Sequence, residues 1–360
     1  MKESEKKGES PPACGYGLLG LCCSSCLLGP CRISPFEESR KGLCGDDRDL
    51  LVAKNLLRLT LFETMEEIGQ SREILQQCIA SASAQSPKDE SSRELVKVLS
   101  EKYGYSSALP RKRLVHFLTE ASKKMFSFFP EELDSVTKTL YPEKVFPRLD
   151  RRHFPNESLM SLLLDSRNIF DGKATPPEEI LHCCLQISLG RMVSRELRID
   201  MDHLLPGKGV RGSGNGSLAA LERLSPNSPP VILLLSEDGS PGEGKIHELE
   251  KDLKGAAFFV RLRDNMGLAD MGRRIFAKWS LSASERIALT VVFSKSVTDI
   301  LGLIALGFNT ASLPPLPIHG SEKAGQFFLQ DLRKRSGHTY FIPGQEGLSS
   351  AILNFLERRI

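Results

Sequence analysis

Six cysteines fall early in this 360-residue chain, at positions 14, 22, 23, 26, 31 and 44, and three more follow at 78, 183 and 184. In a large chain that keeps its thiols reduced, such a group reads as a metal site and not as a disulfide framework. Four thiolates hold one [4Fe–4S] cubane. Cys23, Cys26, Cys31 and Cys44 supply such a set, with gaps of two and four residues and then a distant fourth ligand. Adjacent cysteines diverge, so Cys22 is expected to face another site together with Cys14. Two thiolates are half of what a cluster needs, and a symmetry-related pair from a second copy completes them. The count therefore predicts a second iron–sulfur cluster shared across a homodimer. Zinc on four of the six is the rival reading, but zinc prefers two short knuckles and the sequence offers one short CxxC. Gly15, Gly17, Gly20, Gly29, Gly42 and Gly45 interleave with the cysteines, and are expected to let the backbone wrap closely and aim N–H groups at sulfur.

The elements that must position these residues follow from pattern. Residues 1–13 read as a disordered leader, and 14–45 as a glycine-punctuated loop. A long helix is expected from Asp46, with acidic residues in its first turn and Leu50, Ala53, Leu57, Leu61, Ile68 and Leu75 on a buried face. Ser81 to Ser92 reads as a connection, and further helices are expected near 114–126, 130–140, 157–168 and 176–196. Glycine, serine and proline between Pro206 and Pro230 mark a linker. Beyond it, unalternating apolar runs at 231–235, 256–262 and 287–293, with 338–342 and a weaker 308–312, are separated by helical stretches. That is the signature of a parallel sheet buried on both faces. The fold class expected is multidomain α and α/β. An iron–sulfur cysteine loop and helical domain (14–205) precede a linker (206–230) and a doubly wound, Rossmann-like α/β domain (231–360).

Composition narrows the class. A hydrophobic share of 40%, a charged share of 26% and a net charge of +3 are those of an ordinary soluble protein, with no bias toward nucleic acid. No run reaches the ~18 apolar residues of a membrane span, and the polar N-terminus lacks a secretory core. The expected location is the cytoplasm.

The run CGYGLLGLCCSSCLLGPCRI, followed by KGLCG and VAKNLLR, resembles the N-terminus of the nickel-containing carbon monoxide dehydrogenases of anaerobes. The resemblance implies that Cys23, Cys26, Cys31 and Cys44 hold the subunit's own cubane. It also implies that Cys14 and Cys22 hold half of a cluster shared across a homodimer. It extends more weakly through FPRLDRRHF, HCCLQISLGRM and MDHLLPG to SKSVTDILGLIALG and PPLPIHGSEK, as a shortened member of that family would.

The resemblance fails at the family's reaction centre, a nickel–iron–sulfur cluster held by a histidine and several cysteines in the α/β part. No cysteine follows residue 184. Ser236 and Asp238 stand where the family has a histidine ligand turn, and neither replaces imidazole on a soft centre. The stretch Glu66 to Gln70 lacks the family's proton-passing histidines, the first histidine being His116. Lys295 matches a family lysine near the substrate site, though a lone lysine at a helix start is also ordinary surface charge. His182, Cys183 and Cys184 form the other metal-capable group, but they lie in an amphipathic helical pattern where cysteine acts as a small hydrophobe. Cys78 reads the same way. His153, His203, His247, His319 and His338 read as exposed. The glycine run at 208–217 neither follows a strand nor opens a helix, as a phosphate loop must.

The expectation is a homodimeric iron–sulfur electron-transfer protein that keeps the relay clusters and lacks the CO-oxidising centre, with nickel not expected. Its redox partner would be a ferredoxin or an oxidoreductase. The alternatives are a CO dehydrogenase or other small-molecule oxidoreductase with a remodelled or partner-supplied metal site, and a scaffold whose clusters only stabilise the fold.

Overall fold

The expected long helix is α2, Arg48–Ser81, and its buried side includes Val52, Ala53, Leu56, Leu57 and Ile68. At ~1.5 Å per residue it runs about 50 Å, long enough to carry the cysteine segment at one end and pack along the helical part with the rest. The computed structural model describes residues 14–24, 28–37, 40–81, 90–127, 134–155, 158–170, 175–205, 228–236, 242–263, 268–293, 296–313, 315–331, 333–334, 340–341 and 348–358. Residues 1–13, most of the expected linker, Cys26, Asp238, Lys295 and His338 lie outside them.

Helices α3 (Glu90–Lys102), α4 (Arg111–Met125), α5 (Asp134–Leu140), α6 (Leu159–Phe170) and α7 (Pro177–His203) complete the helical part. Of these, α3 is not apparent from the sequence pattern: ESSRELVKVLSEK is mostly polar, and its apolar side chains form a narrow stripe. The 27-residue α7 is buried nearly all round, from Ile180 and Leu181 to Leu197 and Met201, because α2, α4 and α6 pack on several of its sides. Several of its charged groups are paired internally. Glu67 of α2 accepts two bonds from Arg198 (2.7 and 3.2 Å), and Lys102 bridges Glu196 and Asp200 at 2.7 and 2.8 Å. Buried charges persist only when so partnered.

The second part carries β3 (Val231–Ser236), α8 (Gly242–Asp252), β4 (Phe258–Arg263), α9 (Leu268–Trp279), α10 (Ala283–Arg286), β5 (Ile287–Phe293), α11 (Val297–Ala305), β6 (Thr310–Ser312), α12 (Glu322–Gln326), β7 (Tyr340–Phe341) and α13 (Leu348–Glu357). All five expected strands are present, and they pair in parallel in the order β4-β3-β5-β6-β7. Along β3, Val231, Leu233 and Leu235 join the core shared with the helices. Ile232 and Leu234 join a second core under α8 and α13. Burial on both faces explains why the strand shows no polar alternation.

In this strand order the chain reverses direction between β3 and β5, and open α/β sheets bind ligands beyond the carboxyl ends of the strands at such a point. Here α11 begins there, and a carboxylate from α2 occupies its N-terminus. Glu63 accepts the N–H groups of Val297 and Thr298, both at 2.9 Å, and the Ser296 hydroxyl at 3.0 Å. A carboxylate suits the positive end of a helix and satisfies N–H groups that have no intrahelical acceptor. Asp299 on the same turn accepts from Arg191 of α7 at 2.7 Å. Glu63→Ala should therefore lower the urea midpoint, by about 2 kcal/mol for charge-assisted bonds lost at a buried helix start, with Glu63→Gln losing less. An unchanged midpoint for the alanine variant would show that the carboxylate does not join the two parts.

Candidate iron–sulfur site

The cysteine segment is held by three short elements. Helix α1 (Gly15–Leu18) starts directly after Cys14. Strands β1 (Cys22–Cys23) and β2 (Cys31–Arg32) pair antiparallel, with Cys23 opposite Cys31 and Cys22 opposite Arg32. Successive strand residues point to opposite faces, and directly opposed residues share one. The strand thus divides the doublet: Cys23 lies on the face of Cys31, and Cys22 on the other.

Cys44 joins the Cys31 side around a glycine. A Cβ built on Gly42 would lie 3.7 Å from the Cys44 sulfur and 4.0 Å from the Cys31 sulfur, so the bare backbone leaves room between the two thiols. The turn is closed by Gly42 N–H to the Asp46 carbonyl and Gly45 N–H to the Gly42 carbonyl, both 2.9 Å. The Leu43 N–H donates to the Cys31 sulfur at 3.5 Å, a bond of the kind that stabilises thiolate charge. Cys23, Cys31 and Cys44 form no disulfide, and none is fully buried. Among the described residues no three His, Cys, Asp or Glu side chains converge on one metal-ion position. A cubane asks for something different, one thiolate on each of four irons; here the Cys31 and Cys44 sulfurs both lie beside Gly42, and Cys23 is paired opposite Cys31.

The thiols differ electrostatically. The N–H groups of Gly17 and Tyr16 hold the Cys14 thiol below its ordinary range. For Cys44 the Asp46 N–H favours the thiolate, but burial and the Asp46 carboxylate outweigh it and the thiol is raised.

Placement of the segment falls to α2 and to the chain before α12. Asn55 donates to the carbonyls of Gly20 (2.8 Å) and Cys22 (2.9 Å). Leu21 and Ile33 are buried and linked by the Ile33 N–H to the Leu21 carbonyl at 3.1 Å. Gly20 has φ +76°, and a Cβ there would sit 2.4 Å from the Pro317 carbonyl oxygen, so only glycine permits that approach. The Gly320 N–H donates to the Leu19 carbonyl at 2.9 Å, and Ser321 donates to Asp49 at 2.7 Å. Residues 317–321 therefore close over the cysteine segment.

The other singled-out residues lie elsewhere. Cys184 and Cys78 are buried in the helical core, and burial pushes the Cys184 thiol up and that of Cys183 to about 11. His182 does not meet these sulfurs as a ligand set. Its Nδ1 lies 3.2 Å from Nε2 of His153, and Phe327 packs edge-on against its ring. His153, expected to be exposed from its polar neighbours, is fully buried because the turn at 151–153 folds it against α7. Ser236 ends β3 at the strand-order reversal.

Comparison with known proteins finds likenesses to part of the chain. Residues 21–151 match the model of the Prismane/CO dehydrogenase family. A carbon monoxide dehydrogenase of Rhodospirillum rubrum is 50% identical over 64 residues, which is 18% of this chain and 10% of that protein. One from Methanocaldococcus jannaschii is 28% identical over 178 residues, 48% of this chain and 28% of the other. Carbon monoxide dehydrogenase IV from Carboxydothermus hydrogenoformans superposes over 96% of this chain and 55% of its own, at 17% identity and a TM-score of 0.47. The chain is thus similar to the Prismane/CO dehydrogenase family over residues 21–151. It covers less than two thirds of the length of these relatives. No helix among the described residues is long and apolar enough to cross a membrane.

Asn55 carries the tether between α2 and the doublet. Asn55→Ala should leave two carbonyls without their donor, at a cost of about 1–3 kcal/mol, read as a lower urea midpoint and faster alkylation of Cys22 by a thiol reagent. If neither moves, the segment is placed without Asn55, by Leu21, Ile33 and its contacts with Pro317 and Gly320.

Proposed function

We propose that this chain is a homodimeric iron–sulfur electron-transfer protein of its family, one that keeps relay clusters and lacks the CO-oxidising centre. The observation that carries the reading is the division of the doublet by β1, with Cys23 and Cys31 opposed and Cys44 beside Cys31 at Gly42. Cys23, Cys31 and Cys44, with Cys26, would hold a [4Fe–4S] cluster. Cys14 and Cys22 would hold half of a second cluster whose other half comes from a second copy. Such clusters supply reversible one-electron transfer when bound.

The residues of the chain then have definite tasks. The Leu43 N–H bonds to Cys31 sulfur and favours its charged form. Asn55 fixes the backbone at Cys22. The exposure of Cys14 and Cys44 puts the outer thiols within reach of a docked ferredoxin or oxidoreductase, so electrons could enter and leave without a long tunnelling path. The absence of a catalytic centre is supported by the lack of cysteine after residue 184 and by Glu63 sitting where the sheet would otherwise receive a ligand. Nickel is not part of this reading.

Anaerobic purification followed by iron, sulfide and nickel analysis tests it. The reading requires about six iron per chain, four from the cubane and half of a shared cluster, with essentially no nickel. Stoichiometric nickel together with CO-dependent dye reduction would overturn it. Cys22→Ser should bring iron to about four per chain and spare the cubane signal; loss of both clusters together would show that the doublet is not divided.

A further inference from the structure

We propose that the guanidinium of Arg32 is the charge-compensating group of Cys14 and Cys22, and that it selectively raises the reduction potential of the cluster this outer pair holds. Arg32 is a positioning residue here: it ligates nothing and acts through the two sulfurs. The inference rests on the division of ligands proposed above and adds what sets the outer pair apart from the cubane.

The register of the hairpin supplies the geometry. Cys22 is paired directly opposite Arg32, as Cys23 is opposite Cys31. Directly opposed residues share a face, with their Cβ atoms about 5 Å apart. Arg32 therefore stands beside Cys22 on the face turned away from Cys23 and Cys31. The same charge reaches Cys14: after the N–H groups of Gly17 and Tyr16, the field of Arg32 favours that thiolate. One cation thus serves both members of the outer pair. It is exposed, and among the described residues no carboxylate forms an ion pair with it.

On the cubane side the charges are offset within the chain. The Asp46 carboxylate beside Cys44 is bridged by the Lys54 ammonium at 3.0 and 2.9 Å, so that neighbourhood holds a matched pair. Net charge close to the sulfurs is one of the quantities that set a cluster's potential. Reduction adds negative charge, and a nearby cation makes that addition easier. An unmatched guanidinium on one face of the hairpin and a matched pair on the other therefore separate the two sites. The separation has the sense that favours an electron on the outer pair over one on the cubane. Because Arg32 is exposed, its field is open to screening by salt.

The test is a redox titration of the anaerobically purified full chain, with the two clusters followed by electron paramagnetic resonance. At a fixed potential, Arg32→Gln should move the outer cluster about tenfold toward its oxidised form, which is about 59 mV for one electron. The cubane should move much less, and Arg32→Lys should restore most of the shift. Arg40→Gln removes the same charge from the same segment, where Arg40 faces Glu37 at 3.7 Å, and should leave the outer cluster in place. No shift with Arg32→Gln, or equal shifts in both clusters, overturns the proposal. A second readout uses the full chain after iron removal, at fixed pH: the rate of alkylation of Cys14 and Cys22 by anionic iodoacetate, divided by the rate with neutral iodoacetamide. Both reagents consume the same thiolate, so the ratio reports local charge, and it should fall several-fold in Arg32→Gln and in high salt. A ratio that holds in Arg32→Gln overturns the placing of Arg32 beside the pair. A wild-type chain that loads a cubane alone overturns the shared cluster, and a ratio that still falls in Arg32→Gln then keeps Arg32 as the neighbour of both thiols.

Discussion

Among its described residues the cysteine segment has little core of its own. Leu21 and Ile33 are the fully buried apolar side chains there, so its placement depends on what it can borrow from α2. The two bonds from Asn55 to the carbonyls of Gly20 and Cys22 are that loan's centre. They turn a helix whose other residues pack into the helical core into a ruler for the positions of thiols. The tight passage of Gly20 against Pro317 closes the segment from the opposite side, so a residue near the C-terminal part of the chain sets the geometry of one near its start.

The same helix reaches the sheet. Asp49, Asn55 and Glu63 lie along α2 and bond, in turn, to the chain before α12, the cysteine backbone and the start of α11. Three polar contacts on one rigid rod thus relate the cysteines to the end of β5. Because the helix is continuous, displacement at one contact must be shared by the others or taken up by bending. The buried core reinforces this, since one face of the sheet and the helices belong to a single cluster.

Much of this architecture was legible in sequence, for reasons that can be named. The strands appear as apolar runs because both of their faces are covered, as Val231 to Leu235 show. Cysteine spacing isolates the candidate ligands because thiolate chemistry leaves few other uses for six clustered thiols. What pattern could not supply was tertiary. Glu63 reads as surface charge, and its partner Ser296 is 233 residues away. Asn55 looks like an ordinary polar helix residue until the loop it holds is folded beside it. His153, among arginines and aspartate, has the neighbours of an exposed residue, yet a single turn of 3₁₀ helix carries it inward. The polar run of α3 hides a helix whose burial depends on α4.

Glu63 at the head of α11 has a consequence for the order of assembly. A helix start that is satisfied by the chain's own carboxylate needs no bound group to complete it, and the sheet around it is already packed on both faces. The bulk of the molecule can therefore reach its final form before any inorganic component arrives. Any group held by the cysteines would then join a body already folded and would not steer its folding.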